Sequence, residues 1–238
     1  MKRTLMLIGA LTLFAPSAFA VGADLSVFAC PDGPGASFDA GALDCAGGEA
    51  LTLIATFMPQ EALPDLAGID LVFDLGINGD VNSDATFWDF ANANSAALGT
   101  LQTRLAIGCN AYTDTWASPE GSGSGALGVY QSPARARIVA LAYRPSPLAV
   151  LANEKLFGLR LTIDASTSLE AGGTTTGCSK SVCIVLDELF PRTFSGNDGT
   201  ALTSGSVFGN QVIINAGPFC FVIPTRKRTW GQLKSLYR

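Results

Sequence analysis

The feature that most constrains the fold is an alternation of apolar and polar residues with a period of two. It is clearest in Ala50–Met58, Gly68–Gly76 and Lys155–Asp164. Successive side chains of a β-strand point to opposite faces, so this period predicts strands with one dry and one wet face. The predicted dry faces are Leu51, Leu53, Ala55 and Phe57; Ile69, Leu71, Phe73 and Leu75; and Phe157, Leu159, Leu161 and Ile163. The predicted wet faces include Thr52, Thr56, Asp70, Asp74, Arg160 and Thr162.

Four further segments have the composition of strands, and the turn-forming residues Gly, Pro and Ser separate them. Roughly eight strands with little helical periodicity predict an all-β, antiparallel sandwich with long loops. Asp84–Leu101 is the one plausible helical stretch, and the Gly/Ser-rich Pro119–Gly128 is predicted to be a mobile loop. The additional strands are predicted at Asp24–Ala29, Arg135–Tyr143, Val182–Phe190 and Val207–Asn215.

The first 20 residues have the organisation of a secretory signal peptide. Lys2 and Arg3 precede the apolar run Leu5–Phe14, and Ala18-Phe19-Ala20 gives a small-x-small cleavage pattern. The alternative, a membrane anchor, needs about 20 apolar residues, and this run has about ten. We therefore expect cleavage after Ala20, a mature chain without a transmembrane segment, and a periplasmic, cell-surface or extracellular location.

Six cysteines follow the predicted signal peptide, and an even number in an exported chain indicates disulfides. Fifteen pairings are possible. The two closest pairs predict Cys30–Cys45 and Cys178–Cys183, which leaves Cys109–Cys220. Metal binding is the alternative, but Cys178-x4-Cys183 is wider than a CxxC knuckle and the chain has no histidine to complete a mixed site.

Charge is distributed unevenly along the chain. Residues 21–224 hold all 20 acidic residues and eight of the 15 basic ones, a net charge of −12, whereas residues 225–238 hold five basic residues and no acid. Such asymmetry predicts a sandwich domain, 21–224, followed by a C-terminal tail, 225–238, with a partner of its own. We expect that partner to be a protein or cell-envelope component and not a nucleic acid.

The tail combines an apolar stripe with flanking charge. Trp230, Leu233 and Tyr237 have the i, i+3, i+7 spacing of one helix face. Nine residues are too few to hold a helix alone in water, so the segment is expected to order against a receptor, an anionic surface or its own acidic domain. The predicted partner-binding residues are Arg226, Lys227, Arg228, Trp230, Leu233, Lys234, Tyr237 and Arg238.

The absence of histidine restricts catalysis. It removes Ser-His-Asp and Cys-His nucleophile pairs and most catalytic zinc sites, and no GxSxG elbow is present. Carboxylates remain, so the alternative enzyme is a glycosidase that uses two of them. The letters of Gly123–Gly128 match GxGxxG, but the segment does not lead from a strand into a helix, so we interpret the match as chance. We expect no catalytic residues.

Asp80, Asn82 and Asp84 carry oxygen side chains at positions one, three and five of a loop, as in the first half of a calcium loop. Position six is Ala85 where that motif has Gly, and position twelve is Ala91 where it has Glu. A turn that leaves a strand would look the same without an ion. A structural calcium ion is therefore an alternative to the expectation of no cofactor.

Trp88 and Trp116 fall in the long region between predicted strands. Exposed, they would stack on sugar rings and make the protein a carbohydrate- or cell-wall-binding module. Buried, they would cap the ends of the sandwich core. The two readings predict opposite exposure of the indole rings.

The ending Thr229–Arg238, TWGQLKSLYR, resembles a TWGxxKxxYR tail of uncharacterised secreted bacterial proteins. The stretch Gly177–Leu189, GCSKSVCIVLDEL, resembles a cysteine-flanked strand in the same group. This resemblance implies a shared terminal signal or docking tail and no known activity. In outline, the strand pattern is also similar to cohesin-like and immunoglobulin-like sandwiches, which bind partners.

Together these features predict a secreted, disulfide-stabilised protein of the cell envelope that binds a partner or builds a structure, without catalysis. If the protein builds a structure, it could be a subunit of a filament or of a coat. The tail is predicted to serve in sorting, anchoring or docking.

Overall fold

A computed structural model of the protein describes residues 22–27, 39–77, 87–89, 102–104, 113, 115–116, 123–132, 135–202 and 209–215. Within these ranges the regular structure is ten strands and one 3₁₀ turn, Leu169–Ala171. The strands are β1 (Gly22–Val27), β2 (Asp39–Gly41), β3 (Ala50–Met58), β4 (Leu63–Ile77), β5 (Gln102–Arg104), β6 (Gly123–Ser132), β7 (Arg135–Val150), β8 (Leu156–Asp164), β9 (Val182–Thr193) and β10 (Gln211–Ile214).

The strands form a sandwich of two sheets. One has four strands in the order β1-β3-β8-β5, and the other has six in the order β2-β10-β9-β4-β7-β6. All pairs are antiparallel except β2–β10, which is parallel. The predicted all-β sandwich is confirmed, with this one parallel pair added at an edge.

One continuous apolar core fills the space between the sheets. Ile69, Leu71, Phe73 and Leu75 of β4 line it from the six-stranded sheet, with at most 1% of each residue exposed. Leu51, Leu53, Ala55 and Phe57 of β3 and alternate residues of β8 line it from the other side. Each fully buried Leu, Ile or Phe side chain stabilises the fold by about 1.5–3 kcal/mol.

The seven predicted strands are all present, with different lengths. β3 has the predicted bounds, whereas β4, β7 and β9 extend beyond theirs and β10 is shorter. Residues 123–128, predicted as loop, are strand β6, because pairing with the long neighbour β7 holds a Gly-rich segment extended. The wet face of β3 was also predicted wrongly, since Thr56 is buried together with Ile54.

The predicted disulfide pairing is wrong in its first two bonds. Cys45, in the turn between β2 and β3, is bonded to Cys178, just before β9. Cys183 lies inside β9, and the extended strand carries it away from Cys178. Cys183 is itself disulfide-bonded, to a cysteine outside the described residues. The other three cysteines, Cys30, Cys109 and Cys220, lie outside the described residues. The pair Cys109–Cys220 therefore stays a prediction. The Cys45–Cys178 bond joins positions 133 residues apart. A prediction that pairs the cysteines closest in sequence cannot find such a bond.

Several predicted segments fall outside the described residues. They are the signal peptide, residues 1–20, the tail, residues 225–238, and the helical stretch Asp84–Leu101 apart from 87–89, where Phe87 and Trp88 form a turn. In the part of the chain that the structure describes, no helix has the length and apolar character needed to cross a membrane.

Candidate functional site

The outer face of the six-stranded sheet, which points away from the other sheet, carries the most unusual chemistry among the described residues. At the centre of the sheet, β4 pairs with β7 on one side and β9 on the other. Because Ile69, Leu71 and Phe73 point into the core, the alternate positions of β4 point outward. From one end of the strand to the other, these outward positions are Gly68, Asp70, Val72 and Asp74.

One end of the outer face holds a buried charge cluster, Asp74, Arg137 and Asp187. Arg137 of β7 lies directly opposite Asp74 in the sheet register. Its Nε and Nη2 groups donate to the two Asp74 carboxylate oxygens at 2.6 and 2.5 Å. Nη2 also lies 3.5 Å from Asp187 Oδ2. The side chains of Arg137 and Asp74 are only 8% and 4% exposed, so this ion pair is shielded from water.

A β-bulge in β9 brings the second carboxylate to the cluster. The register with β4 shifts between Val72 and Phe73, which pair with Glu188 and Leu186. Asp187 is therefore the extra residue of β9, and it lies beside Arg137. Bulges commonly re-aim a side chain in this way.

Burial, more than the excess of acid over base, shifts the pKa values of the carboxyls in and beside the cluster. Burial, reinforced by the negative charge of Asp74, raises the pKa of Asp187 from 3.8 to about 6, although Arg137 opposes the shift. Burial also raises the pKa of Glu188. The hydrogen bond to Asp74 raises the pKa of Arg137, which stays charged. The cluster therefore holds a carboxyl that titrates close to neutral pH.

The other end of the outer face is an exposed surface that we call the Tyr143 patch: Leu141, Tyr143, Asp70, Phe190 and Arg192. Two rows of cross-strand neighbours form it, Tyr143–Gly68–Arg192 and Leu141–Asp70–Phe190. Tyr143 is 55% exposed and Leu141 is 42% exposed. Two large apolar side chains thus stand next to each other in solvent on the same strand.

Arg192 is fixed at the β9 side of the Tyr143 patch. Its Nη2 group is 2.7 Å from Asp70, and its Nη1 group donates to Asp198 at 2.6 Å. Its guanidinium carbon lies over the Phe190 ring, 4.4 Å from the centroid, in a cation–π contact. Two carboxylates and one ring therefore hold this cation in a single position.

Glycine separates Tyr143 from Arg192. A side chain at Gly68 would place its Cβ 2.6 Å from the Ala142 carbonyl oxygen, so the close approach of β4 and β7 requires glycine there. The other cross-strand neighbour of Tyr143 is Gly123 of β6. With glycine on both sides, no neighbouring side chain in the row supports or covers the Tyr143 ring.

A separate groove of about 260 Å³ lies at the edge of the sandwich. The β3–β4 connection and the segment after β9 form it. Its carboxylates are Glu61 and Asp198, and Asp198 is already engaged by Arg192 and by the backbone N–H of Thr193. The groove therefore adjoins the Tyr143 patch through the Arg192–Asp198 pair. Its lining is Pro59, Gln60, Glu61, Ala62, Leu63, Pro64, Pro191, Asn197, Asp198, Gly199, Thr200 and Leu202.

The two tryptophans predicted as a sugar platform are buried. Trp88 is 0% exposed and donates from Nε1 to the Cys178 carbonyl at 2.9 Å. Trp116 is 4% exposed and donates from Nε1 to the Gly158 carbonyl at 2.6 Å. Burial satisfies their N–H groups and removes the ring faces from solvent, which overturns the stacking role proposed for these residues. They cap the core.

The remaining predicted site residues lie outside the described residues. These are Asp80, Asn82 and Asp84 of the calcium alternative, and the tail residues from Arg226 to Arg238. Among the residues that are described, no group of three or more Cys, Asp or Glu side chains is placed to hold a metal ion.

Sequence reasoning missed the chemistry of the outer face. It placed Asp70 and Asp74 on a wet face, whereas Asp74 is 3% exposed and paired with Arg137. The sequence contained one signal, which was that Arg137 lies inside a predicted strand. Alternate residues of a strand point away from the core. Nothing in the sequence indicated that Tyr143 would be left between two glycines.

No protein-family model and no curated protein matches the sequence. A cohesin module from a Clostridium perfringens ATCC13124 family 33 glycoside hydrolase aligns with 82% of this chain and 98% of its own, at 8% identity and a TM-score of 0.34. AvmM, described as catalysing macrocyclization in alchivemycin A biosynthesis, aligns with 84% of this chain and 91% of its own, at 11% identity and a TM-score of 0.35. Both TM-scores are below 0.5, so these similarities establish neither a family nor a function.

Replacing Arg137 tests the buried charge cluster. Met in place of Arg137 keeps an unbranched apolar stem but leaves Asp74 and Asp187 without their cation. We expect R137M to lower the free energy of unfolding by about 3–5 kcal/mol, measured by urea denaturation. The matched control is R135M, two residues earlier on β7 and exposed, for which we expect a change within about 0.5 kcal/mol. Equal stabilities of R137M and R135M would contradict the role given to Arg137.

Replacing Asp187 tests the pH dependence of the cluster. Because its pKa is raised to about 6 in the folded protein, the stability that Asp187 contributes is present below about pH 4 and lost as the pH rises through 6. We expect D187N to raise the free energy of unfolding at pH 7.5 by about 1–2 kcal/mol, with the gain gone near pH 4. E61Q, at an exposed acid, is the control. A pH-independent effect of D187N would show that Asp187 does not titrate as stated.

Proposed function

We propose that this chain is an exported, non-catalytic binding protein of the cell envelope, and that it recognises a protein partner with the Tyr143 patch. The observation that carries the proposal is the pair of exposed apolar side chains, Leu141 and Tyr143, next to the clamped cation of Arg192.

The composition of the patch supports recognition of a protein. Tyr and Arg are the residue types most often found where an interface gains its binding energy. Arg192 is already held by Asp70, Asp198 and Phe190, so binding orders it little further. Tyr143 and Leu141 stand on β7, which is hydrogen-bonded to a strand on each side. A surface whose side chains are positioned in advance loses less entropy when it binds.

Export is supported by the cysteines. Cys45–Cys178 is a disulfide, and Cys183 is also disulfide-bonded. Such bonds form and persist in oxidising compartments outside the cytoplasm. The predicted signal peptide, residues 1–20, agrees with this location.

The binding proposal is tested by replacing the two apolar side chains together. L141T/Y143T places threonine, a β-branched residue that suits a strand, at both positions and removes the apolar surface. We expect the mature variant to bind an isolated envelope fraction of the producing organism at least tenfold more weakly than the wild type, measured by co-sedimentation. L151T is the control, since Leu151 is 71% exposed but lies at the turn after β7. Equal binding by all three proteins would exclude the patch as the recognition surface.

The basic tail, residues 225–238, is proposed to serve in sorting or anchoring. Its five cations and three apolar residues suit a groove of opposite charge, where charge complementarity speeds association. We expect a protein that ends at Pro224 to fold but to change compartment or leave the cell surface, measured by cell fractionation and immunoblotting. The control is the full chain with the exposed substitution L151T. If the shortened and full proteins distribute alike, the tail is not an address.

A carboxylate-dependent glycosidase is the second candidate, favoured by the placement of Asp74 and Asp187 around one nitrogen of Arg137. Such catalysis uses two carboxyl groups that flank the scissile bond. Arg137, however, occupies the space between them, where a substrate would have to enter. We therefore assign the pair to the stability of the outer face, and binding remains the preferred function.

A further inference from the structure

We propose that the outer face of the four-stranded sheet holds a second binding site, in which Arg160 binds the phosphate group of a small ligand. The site consists of Arg160 and Thr162 of β8 and Thr52 of β3. It goes beyond the proposed function, because this face and the Tyr143 patch belong to different sheets of the sandwich. The observation that carries the inference is a half-buried arginine without a counter-charge among the described residues.

Arg160 is a charged side chain for which the described residues provide no partner. Its neighbours Leu159 and Leu161 are buried in the core, so Arg160 points away from the other sheet. Its Nε group is shielded from water and makes no hydrogen bond. By contrast, Arg137 and Arg192 of the other sheet each contact two carboxylates. Shielded charged groups are normally paired, so an unpaired guanidinium indicates a place for an anion.

On the described strands, no acid occupies a position next to Arg160. Its cross-strand neighbours are Ile54 on β3 and Arg104 on β5. The acids on this face are Asp24 of β1, two strands away, and Asp164, four residues further along β8. Like charges at directly opposite positions destabilise a sheet. An anion bound beside Arg160 would relieve the repulsion that the register creates.

The face is covered at one end and open at the other, and Arg160 lies at the boundary. In the covered part, Thr56 and Ile54 of β3 are 1% and 6% exposed. One row further along, Thr52 and Thr162 are cross-strand neighbours, and both are partly exposed. A ligand can therefore approach Arg160 from the threonine row.

The two threonines add hydrogen-bonding groups to the approach. Thr162 is two residues from Arg160, roughly 7 Å along the strand. Side chains in strands lean along the strand direction, so the long Arg160 side chain can reach toward this row. A threonine hydroxyl rotates to suit its partner and can donate to an anionic oxygen. One cation and two hydroxyl groups thus border the same small area.

The arrangement suits a phosphate group better than a carboxylate. Because Nε is shielded, the ligand contacts the two terminal Nη groups, which can donate to two oxygens at once. A carboxylate has only the two oxygens used in this contact, whereas a phosphate has a further oxygen for a threonine hydroxyl. A phosphate monoester also carries a charge of about −1.5 to −2 at pH 7. Such a charge matches arginines at two opposite positions of β8 and β5.

The experiment is calorimetric titration of the mature protein with inorganic phosphate and with glycerol 3-phosphate, at constant ionic strength. We expect the wild type to bind, and R160M to bind about tenfold more weakly or worse, because a charge-assisted contact is lost. T162V keeps a β-branched side chain and removes the hydroxyl, so we expect a loss of about threefold. R135M, which removes an exposed arginine of the other sheet, is the control for net charge.

Stability separates a binding role of Arg160 from a structural one. Because Arg160 has no partner among the described residues, we expect the thermal unfolding midpoint of R160M in phosphate-free buffer to lie within about 2 °C of the wild type. Phosphate should raise the midpoint of the wild type and leave that of R160M unchanged, because a ligand of the folded state stabilises it.

Equal phosphate affinity of R160M and the wild type would overturn the proposal. Acetate binding as tight as phosphate binding would also contradict it, and so would a large loss of stability in R160M. Binding of both phosphate compounds supports a phosphate group on a larger molecule, and binding of inorganic phosphate alone supports the free ion. L141T/Y143T is expected to bind phosphate like the wild type, so this inference and the proposed function can fail independently.

Discussion

The outer face of the six-stranded sheet depends on the ion pair between Asp74 and Arg137. The two residues face each other across β4 and β7, at the centre of the sheet, and both are almost fully buried. A charge in such a place costs several kcal/mol unless a partner of opposite sign and good geometry accompanies it. The two-pronged contact satisfies this condition for Asp74. It does not do so for Asp187, which shares the same guanidinium at a longer distance and keeps a pKa near 6. At this end of the face, therefore, the charged groups are held in position and the negative charge slightly exceeds the positive charge.

The opposite end of the same face has the reverse character. There the cation Arg192 is satisfied by two carboxylates, and the apolar side chains Leu141 and Tyr143 are left in solvent. Gly68 is required by the approach of two backbones, and it gives Tyr143 no side-chain neighbour on the β4 side of its row. A sheet that was only structural would gain nothing from this exposure. A sheet that binds gains a rigid apolar anchor beside a positioned cation.

The sequence was sufficient for the fold and insufficient for the site. Alternation in Ala50–Met58 and Gly68–Gly76 predicted strands and their core faces, because burial of one face is a local property of the pattern. The pairing of Cys45 with Cys178, in contrast, depends on which loops meet at the end of the sandwich. The burial of Asp74 depends on the register that sets Arg137 opposite it. Neither relation can be read from residues that are 63 or 133 positions apart.

We propose that this protein meets its partner in the cell at the Tyr143 end of the outer face. The most direct measurement replaces Tyr143 with a photoreactive phenylalanine analogue in the producing organism and identifies what is cross-linked on irradiation. The same analogue at Leu151 and at Glu61, in the groove at the sandwich edge, provides the comparison. We expect one defined envelope protein to be captured from position 143 and from neither other position. Capture from position 61 or 151, with none from 143, would contradict the account.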